Sequence, residues 1–379
     1  MAVYSKFSED QIGVLSDAIG GAVSNLRGID SGISNTIYEA EFDNAGTNEK
    51  IVIIIHETPD QTANGVPVEQ SSKIPDLMSY AADNMVQGVY DSDGGVVNTI
   101  IPKPYKWHFG KNFGIMSFPH ASNVGVMVNK TVSILPFIDG IALDWNPDKC
   151  HSNAMIEQAG RGLAAFHLAV EGFPEGGSML NPYGVDRSLS SIDNLLSDSI
   201  AIRRLEKFLD NKESVNSADN ILNILGNEAD YIDKNWDSYV EGLPKNVIHG
   251  DYFPDNTIIT NSGSQAIIDY GNSAQEVELL DIAISINAWV CESGVFNAER
   301  LSAFIDGYNS VKPLSEMEMR TLPFLGRVAS FSRSLLRIDI ALNVENFDNA
   351  NSPEDCIAQL EYWRFKNKKI NLDEPDISL

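Results

Sequence analysis

The chain has 379 residues and a 43% hydrophobic share, enough for an ordinary globular protein of two lobes. Its formal net charge of −26 excludes a surface that attracts nucleic acid or anionic membranes, and any anion it binds needs local positive charge or a divalent metal. No run of about eighteen apolar residues suggests a membrane span. The stretch from Met1 to Asp10 lacks the basic-then-apolar order of a secretory signal, and Cys150, Cys291 and Cys356 show neither metal spacing nor a disulfide framework, so a cytoplasmic protein is expected.

Residues 8–19 are expected to form a short helix, with Ile12, Leu15, Ala18 and Ile19 on one face. The segment Gly28-Ile29-Asp30-Ser31-Gly32-Ile33-Ser34-Asn35 then lies between two stretches that read as strands. The second of these, Thr36 to Phe42, alternates as an exposed antiparallel strand does. Asn44-Ala45-Gly46 is turn chemistry, and Lys50 to Ile55 is a buried strand. Residues 58–74 are polar, contain Pro59, Gly65 and Pro67, and read as a mobile loop. Pro75 to Tyr90 sets Leu77, Tyr80, Ala81, Met85 and Val89 near helical spacing, and residues 91–124 read as irregular. Val126 to Val128 and Thr131 to Leu135 are expected to form a hairpin turning near Asn129 and Lys130. The chain leaves it through Pro136-Phe137-Ile138-Asp139-Gly140.

A helix capped by Ser152 or Asn153 runs to Val170 and is stopped by Gly172 and Pro174. Met155, Ala159, Leu163, Phe166 and Val170 form its buried stripe, with His167 beside them as a satisfied core residue. Val247-Ile248 reads as a buried strand entering the loop His249-Gly250-Asp251-Tyr252-Phe253-Pro254-Asp255-Asn256. Thr257 to Thr260 and Ala266 to Ile268 read as strands joined by the turn Asn261-Ser262-Gly263. This hairpin returns Asp269 beside the loop. Asn256 and Asp269 stand at its two ends, within reach of one cation, and Asp251 lies farther into the loop, facing a substrate. An Asp, an Asn and a second Asp so placed are the parts of phosphoryl transfer: a carboxylate for the acceptor hydroxyl and hard oxygen ligands for Mg²⁺. Leu279 to Trp289 reads as a buried helix that Asp281 starts as N-cap, and helices are expected near 297–309, 315–325, 325–343 and 354–367.

The His249–Asn256 loop and Ile267-Ile268-Asp269-Tyr270-Gly271 resemble the catalytic loop and metal Asp of the aminoglycoside phosphotransferase and choline kinase-like superfamily, relatives of the protein kinases. The resemblance implies an α+β, protein kinase-like two-lobe fold. Residues 1–136 would be a small, antiparallel β-rich nucleotide-binding lobe, and residues 137–379 a larger, mostly helical catalytic and substrate-binding lobe with a catalytic β-hairpin. It implies ATP and Mg²⁺ as cofactors, Asp251 as base, and Asn256 and Asp269 as metal ligands. It makes Gly28, Gly32 and Asn35 part of a nucleotide-covering loop and sets Leu135 and Phe137 at a hinge that meets adenine. It also gives Asp281 a second structural reading, holding the backbone of the catalytic loop.

Further segments look like the homoserine kinase branch, among them Leu135 to Gly140, Gly162 to Ala169, and Tyr308-Asn309-Ser310-Val311-Lys312-Pro313-Leu314-Ser315. The last is the most branch-specific, because nothing in phosphoryl transfer requires it. The implied reaction is L-homoserine plus ATP giving O-phospho-L-homoserine and ADP, on the route to threonine. The acceptor's carboxylate needs a cation or a set of donors. Arg327, Arg333 and Arg337 share one predicted helix, and Arg337 corresponds best to an arginine of that branch. One departure concerns the strand Ile51 to Ile55, which lacks the Lys that kinase-like lobes place near Ile54; Lys130 is the substitute candidate. The alternatives are a kinase of the same fold for choline, an aminosugar or another small amino alcohol, with Trp289 and Tyr252 in an aromatic cage, a catalytically silent nucleotide-binding or scaffold protein, and a metal-dependent phosphohydrolase. A small-molecule partner, neither nucleic acid nor membrane, and a monomer or homodimer complete the expectation.

Overall fold

The computed structural model describes residues 5–29, 35–57, 71–86, 89, 91–107, 109–119, 126–143, 152–179, 181, 184–211, 217–292, 295–343 and 353–371. Helix α1 (Glu9–Ile19) opens them with the capping box its sequence carries: the Ser8 hydroxyl accepts from the Gln11 amide, and the Gln11 side chain accepts from the Ser8 amide. Three antiparallel strands follow, β1 (Ala22–Ile29), β2 (Asn35–Asn44) and β3 (Thr47–His56). The β2–β3 turn sets Ala45 at φ 52 and Gly46 at φ 94, the left-handed pair that a tight hairpin between right-twisted strands needs. Burial along β2 alternates as expected, with Tyr38, Ala40 and Phe42 inside. Helix α2 (Lys73–Val86) and the short β4 (Thr99–Ile100) precede β5 (Gly114–Pro119), β6 (Met127–Pro136) and the short β7 (Gly140–Ala142). The first sheet has the order β1-β2-β3-β6-β5.

Two expectations fail here. Strand β6 runs unbroken through Asn129 and Lys130, so the expected turn is absent, and its hairpin partner is β5, inside the stretch read as irregular. The reason is Lys130, which faces Met116 across the β5–β6 ladder and is fully buried, its ammonium paired with buried Glu57. A lysine expected at a turn, as the substitute for the missing strand lysine, is a core residue once a carboxylate is buried with it. The expected loop at 58–74 lies mostly outside the described residues, and α2 begins two residues before Pro75.

The two faces of this sheet meet different cores. Ile51, Ile53, Ile55, Val132 and Ile134 pack with Tyr38, Phe42, Phe118 and, from α1, Leu15. On the other face, Val52, Ile54 and Leu135 pack against a larger core that also takes Ile74, Leu77, Met78 and Ala81 of α2. That larger core is helical. It draws on α3 (Asn153–Ala169, capped by Ser152), α4 (Val185–Ser197), α5 (Ser199–Asn211) and α6 (Ala218–Val240). It continues through α7 (Glu278–Trp289), α8 (Ala298–Val311), α9 (Glu316–Asn343) and α10 (Pro353–Asn371). Where α3 crosses α8, a Cβ on Gly160 would stand 2.1 Å from the Phe304 carbonyl oxygen, and one on Gly307 2.1 Å from that of Glu157. Glycine on both helices is therefore what allows the crossing.

Helix α9 is one helix of 28 residues, not the expected two, although Pro323 lies inside it. The lost amide hydrogen bond costs roughly 3 kcal/mol. Leu322, Phe324 and Leu325 around it are fully buried, and packing of this kind overrides the break. Arg327 of the same helix is locked to Glu228 of α6 by two hydrogen bonds of 2.7 and 3.0 Å and lies over the Tyr231 ring. Helix α7 begins at Glu278 with Val277 as its N-cap, so Asp281 sits inside the first turn and is not the cap. Among the described residues no helix is long and apolar enough to cross a membrane.

Candidate active site

Between α6 and α7 the chain forms β8 (Lys245–Ile248), the expected hairpin of β9 (Thr257–Thr260) and β10 (Gln265–Ile267), and β11 (Ala274–Val277), which pairs back onto β8. The loop from His249 to Asn256 is pinned from behind. Asp281 accepts the His249 amide on one carboxylate oxygen at 2.7 Å and the Gly250 amide on the other at 2.9 Å. Gly250 stands at φ 76, and a Cβ there would meet the Asn272 carbonyl oxygen at 2.6 Å, so only glycine fits. The His249 ring bridges loop and hairpin, its Nε2 3.1 Å from the Ile268 carbonyl oxygen and its Nδ1 accepting the Asp251 amide. Burial pushes this imidazole below its usual pKa, which suits a neutral ring with the proton on Nε2.

Asn256 donates its amide NH₂ to the Asp251 backbone oxygen at 2.8 Å and to the carboxylate at 3.3 Å, which leaves its side-chain oxygen as the atom to face a cation. The Ile268 amide donates to the Asn256 carbonyl at 3.0 Å, and the next residue is Asp269. The hairpin thus brings Asp251, Asn256 and Asp269 together. Asp269 sits at φ 60, ψ 71, in the left-handed region that non-glycine residues rarely take. Its carboxylate is reachable by water yet crowded by protein. Lost hydration, then Asp251 and Asp255, push its pKa up to about 6. That is a place short of positive charge. Mg²⁺ is ordinarily held by one or two protein ligands and completes its shell with phosphate oxygens and water, so Asn256 with Asp269 fits it. No group of three His, Cys, Asp or Glu among the described residues is placed to hold a metal by itself.

Behind the loop lies a buried polar chain. His167 Nε2 is 3.0 Å from Asp281, and its Nδ1 is 2.8 Å from the Tyr308 hydroxyl. Tyr308 donates to Glu278, which also accepts from Asn246 and, at 2.8 Å, from Lys312. The Tyr308–Ser315 segment therefore has a structural purpose that its sequence does not disclose: Tyr308 and Lys312 both end on the carboxylate beside Asp281.

A pocket with a cavity volume of about 70 Å³ opens beside Asp251. Among the described residues its charged lining side chains are Asp251 and Arg333; Asn181, Asn287 and Gln359 supply neutral polar groups, and Leu280 is among the apolar ones. Arg333 Nη1 stands 3.6 Å from an Asp251 carboxylate oxygen, and the guanidinium lies 4.4 Å over the Phe253 ring. Arg337, one turn on, is brought down to about 10 by burial first and by Arg333 second. Of the three helix arginines, then, Arg333 lines the pocket, Arg337 is close behind, and Arg327 is a core anchor. Residues 333 and 337 share a helix face, so spacing alone does not separate them. Trp289 and Tyr252 are both buried, Trp289 Nε1 donating to the Tyr252 carbonyl, and neither lines this pocket.

The residues expected at a nucleotide are more scattered. Gly28 pairs with Tyr38 inside β1, and Gly32 lies outside the described residues. Asn35 faces His56 across the ladder and accepts the Glu57 amide on its side chain at 3.4 Å. Leu135 is buried opposite Val52, while the Phe137 amide is already bonded to the Lys50 carbonyl. Lys130 is a correction. It alternates with Val132 and Ile134 onto the α1 side of the sheet, with its ammonium on Glu57, on the Ser5 hydroxyl at 2.7 Å, and 5.8 Å from the Phe118 ring. Ile54, where a kinase lysine is expected, points to the opposite face. There His56, pushed down to about 4 by burial, meets Ser133 at 3.2 Å.

Set against known proteins, residues 125–314 match the model of the family described as Phosphotransferase enzyme family. The chain is 26% identical over 344 residues to a homoserine kinase of Phenylobacterium zucineum, covering 89% of this chain and 87% of that one. It is 25% identical over 342 residues to a homoserine kinase of Agrobacterium fabrum, with the same coverage. Among solved structures it is similar to a spectinomycin phosphotransferase in complex with ADP and spectinomycin, at TM-score 0.55 and 13% identity, covering 93% of this chain and 98% of that one. It is also similar to a choline kinase from Cryptosporidium parvum, at TM-score 0.54 and 14% identity, covering 97% of each. The fold is the protein kinase-like one of these phosphotransferases, an N-terminal antiparallel sheet with a helical C-terminal lobe.

Proposed function

This chain belongs to the phosphotransferase enzyme family, and we propose that it transfers the γ-phosphoryl group of ATP to the side-chain hydroxyl of L-homoserine, giving O-phospho-L-homoserine and ADP. The observation that carries this reading is the pocket in which a carboxylate, Asp251, faces a guanidinium, Arg333, beside the Asn256–Asp269 pair. The named relatives favour homoserine over other acceptors.

In this mechanism Asp251 accepts the hydroxyl proton as the oxygen attacks phosphorus. Asn256 holds the Asp251 carboxylate through its NH₂, and Asp281 fixes the loop through two backbone amides, so the base is placed before the acceptor arrives. Asn256 and Asp269 are the residues that would hold Mg²⁺, which supplies neutralisation of the β and γ phosphate oxygens. Residues 1–136 would carry the nucleotide and residues 137–379 the chemistry, in a cytoplasmic enzyme. A quaternary ammonium acceptor finds a guanidinium at this pocket where it needs an aromatic cage.

Mg²⁺-dependent ADP release with L-homoserine, L-serine, L-threonine, choline, ethanolamine and an aminoglycoside tests the reading. Release is expected with L-homoserine, and Asp251→Asn should lower turnover about a hundredfold or more with ATP binding nearly intact. Release with another acceptor alone would move the substrate, and near-normal turnover of Asp251→Asn would take that residue out of the chemistry.

A further inference from the structure

Building on the phosphotransferase reading above, we propose that Arg333 receives the carboxylate of an amino-acid acceptor, and that until the acceptor enters, this guanidinium covers the Asp251 carboxylate. Among the described residues, Asp251 and Arg333 are the charged side chains that line the pocket. They stand 3.6 Å apart, within ion-pair reach but longer than a hydrogen bond. The guanidinium is stacked on Phe253 of the catalytic loop, which fixes its plane beside the Asp251 carboxylate. Arg337 adds a second positive charge from one turn along α9. An amino acid carrying a side-chain hydroxyl matches this arrangement: its carboxylate takes the arginine, its hydroxyl takes the aspartate so uncovered, and its ammonium meets the neutral side-chain oxygen of Asn181 or Gln359. A choline-like cation would meet the guanidinium instead.

Calorimetric binding of L-homoserine against L-homoserine amide, and of L-serine against L-serine amide, separates the possibilities. Wild-type protein is expected to prefer the acid by about ten- to a hundredfold, the size of one charge-assisted contact. Arg333→Met should reduce the preference to near unity, and Arg333→Lys should keep part of it. Acceptor-independent ATP hydrolysis should rise in Arg333→Met, since Asp251 then faces water. A change that merely loosened the fold would weaken acid and amide alike and would lower that hydrolysis. An acid preference that survives in Arg333→Met, or a wild-type protein that binds both forms equally, would overturn the proposal, and the wild-type result decides even if a variant fails to fold. Preference for serine over serine amide with none for homoserine would leave the arginine's role standing and remove homoserine as the substrate.

Discussion

Asp269 shows how one residue can be expensive for the fold and still be placed with care. It holds a left-handed backbone, and lost hydration with two neighbouring aspartates works against its charge. A divalent cation relieves the second of these, so Asp269→Ala should weaken Mg²⁺-ATP binding about tenfold or more in a calorimetric titration. Unchanged nucleotide affinity would argue against its role as a ligand. The residues of this site were unevenly legible. Asp251, Asn256 and Asp269 could be singled out because two short strands and a tight turn bring the ends of one segment together whatever the rest of the chain does. The resemblance favours Arg337, whereas Arg333 is the one that lines the pocket; the difference depends on how α9 is rotated against the loop, and that rotation is set by distant side chains. His167 could be placed in the core, but its partners Asp281 and Tyr308 come from separate helices.

The pairing of β5 with β6 shows the same limit one level up. Gly114 and Pro119 bound β5, and its six residues alternate buried and exposed, yet they sit in a stretch where glycine, proline and aromatic residues hide the period. The Lys130–Glu57 pair then welds β6 to the end of β3, with Thr36 of β2 donating to the same carboxylate. Lys130→Met would leave that carboxylate buried without its cation, and breaking such a pair costs about 3–5 kcal/mol. Urea unfolding should show a loss of that order, with much of it restored in the double variant Lys130→Met, Glu57→Leu. A loss below about 0.5 kcal/mol, the level of a surface substitution, would mean the pair does not hold the sheet. By contrast, the helix at 8–19 was readable from its apolar periodicity, and that at 152–170 from its cap and its buried stripe, since both signals are local.

Across the whole molecule, a net charge of −26 sets a condition on any polyphosphate that approaches. At low ionic strength the surface field reaches about 30 Å, and near physiological salt it falls to about 8 Å. With Mg²⁺ held fixed, kcat/KM for ATP should therefore rise several-fold as a neutral salt is raised from about 0.01 to 0.15 M, the long-range repulsion being screened first. A steady fall over that range would mean that local cations already dominate the encounter. Composition made this legible before any fold was in hand. The two-lobe class was legible only through the resemblance of the His249–Asn256 loop and the Asp269 strand to a known superfamily, since element order and composition do not by themselves specify it.

Helix α9 also bears on how such a protein can change over generations. Arg327 is clamped to Glu228, and Arg333 reaches the pocket from the same rod. One codon inserted between them would turn everything beyond it by about 100°, swinging Arg333 off the catalytic loop while Arg327 stayed locked. Point changes along that stretch alter the grip by degrees, whereas a single-residue insertion or deletion abolishes it. The interval from 327 to 333 is thus a fixed length of text, open to rewording and closed to editing for size.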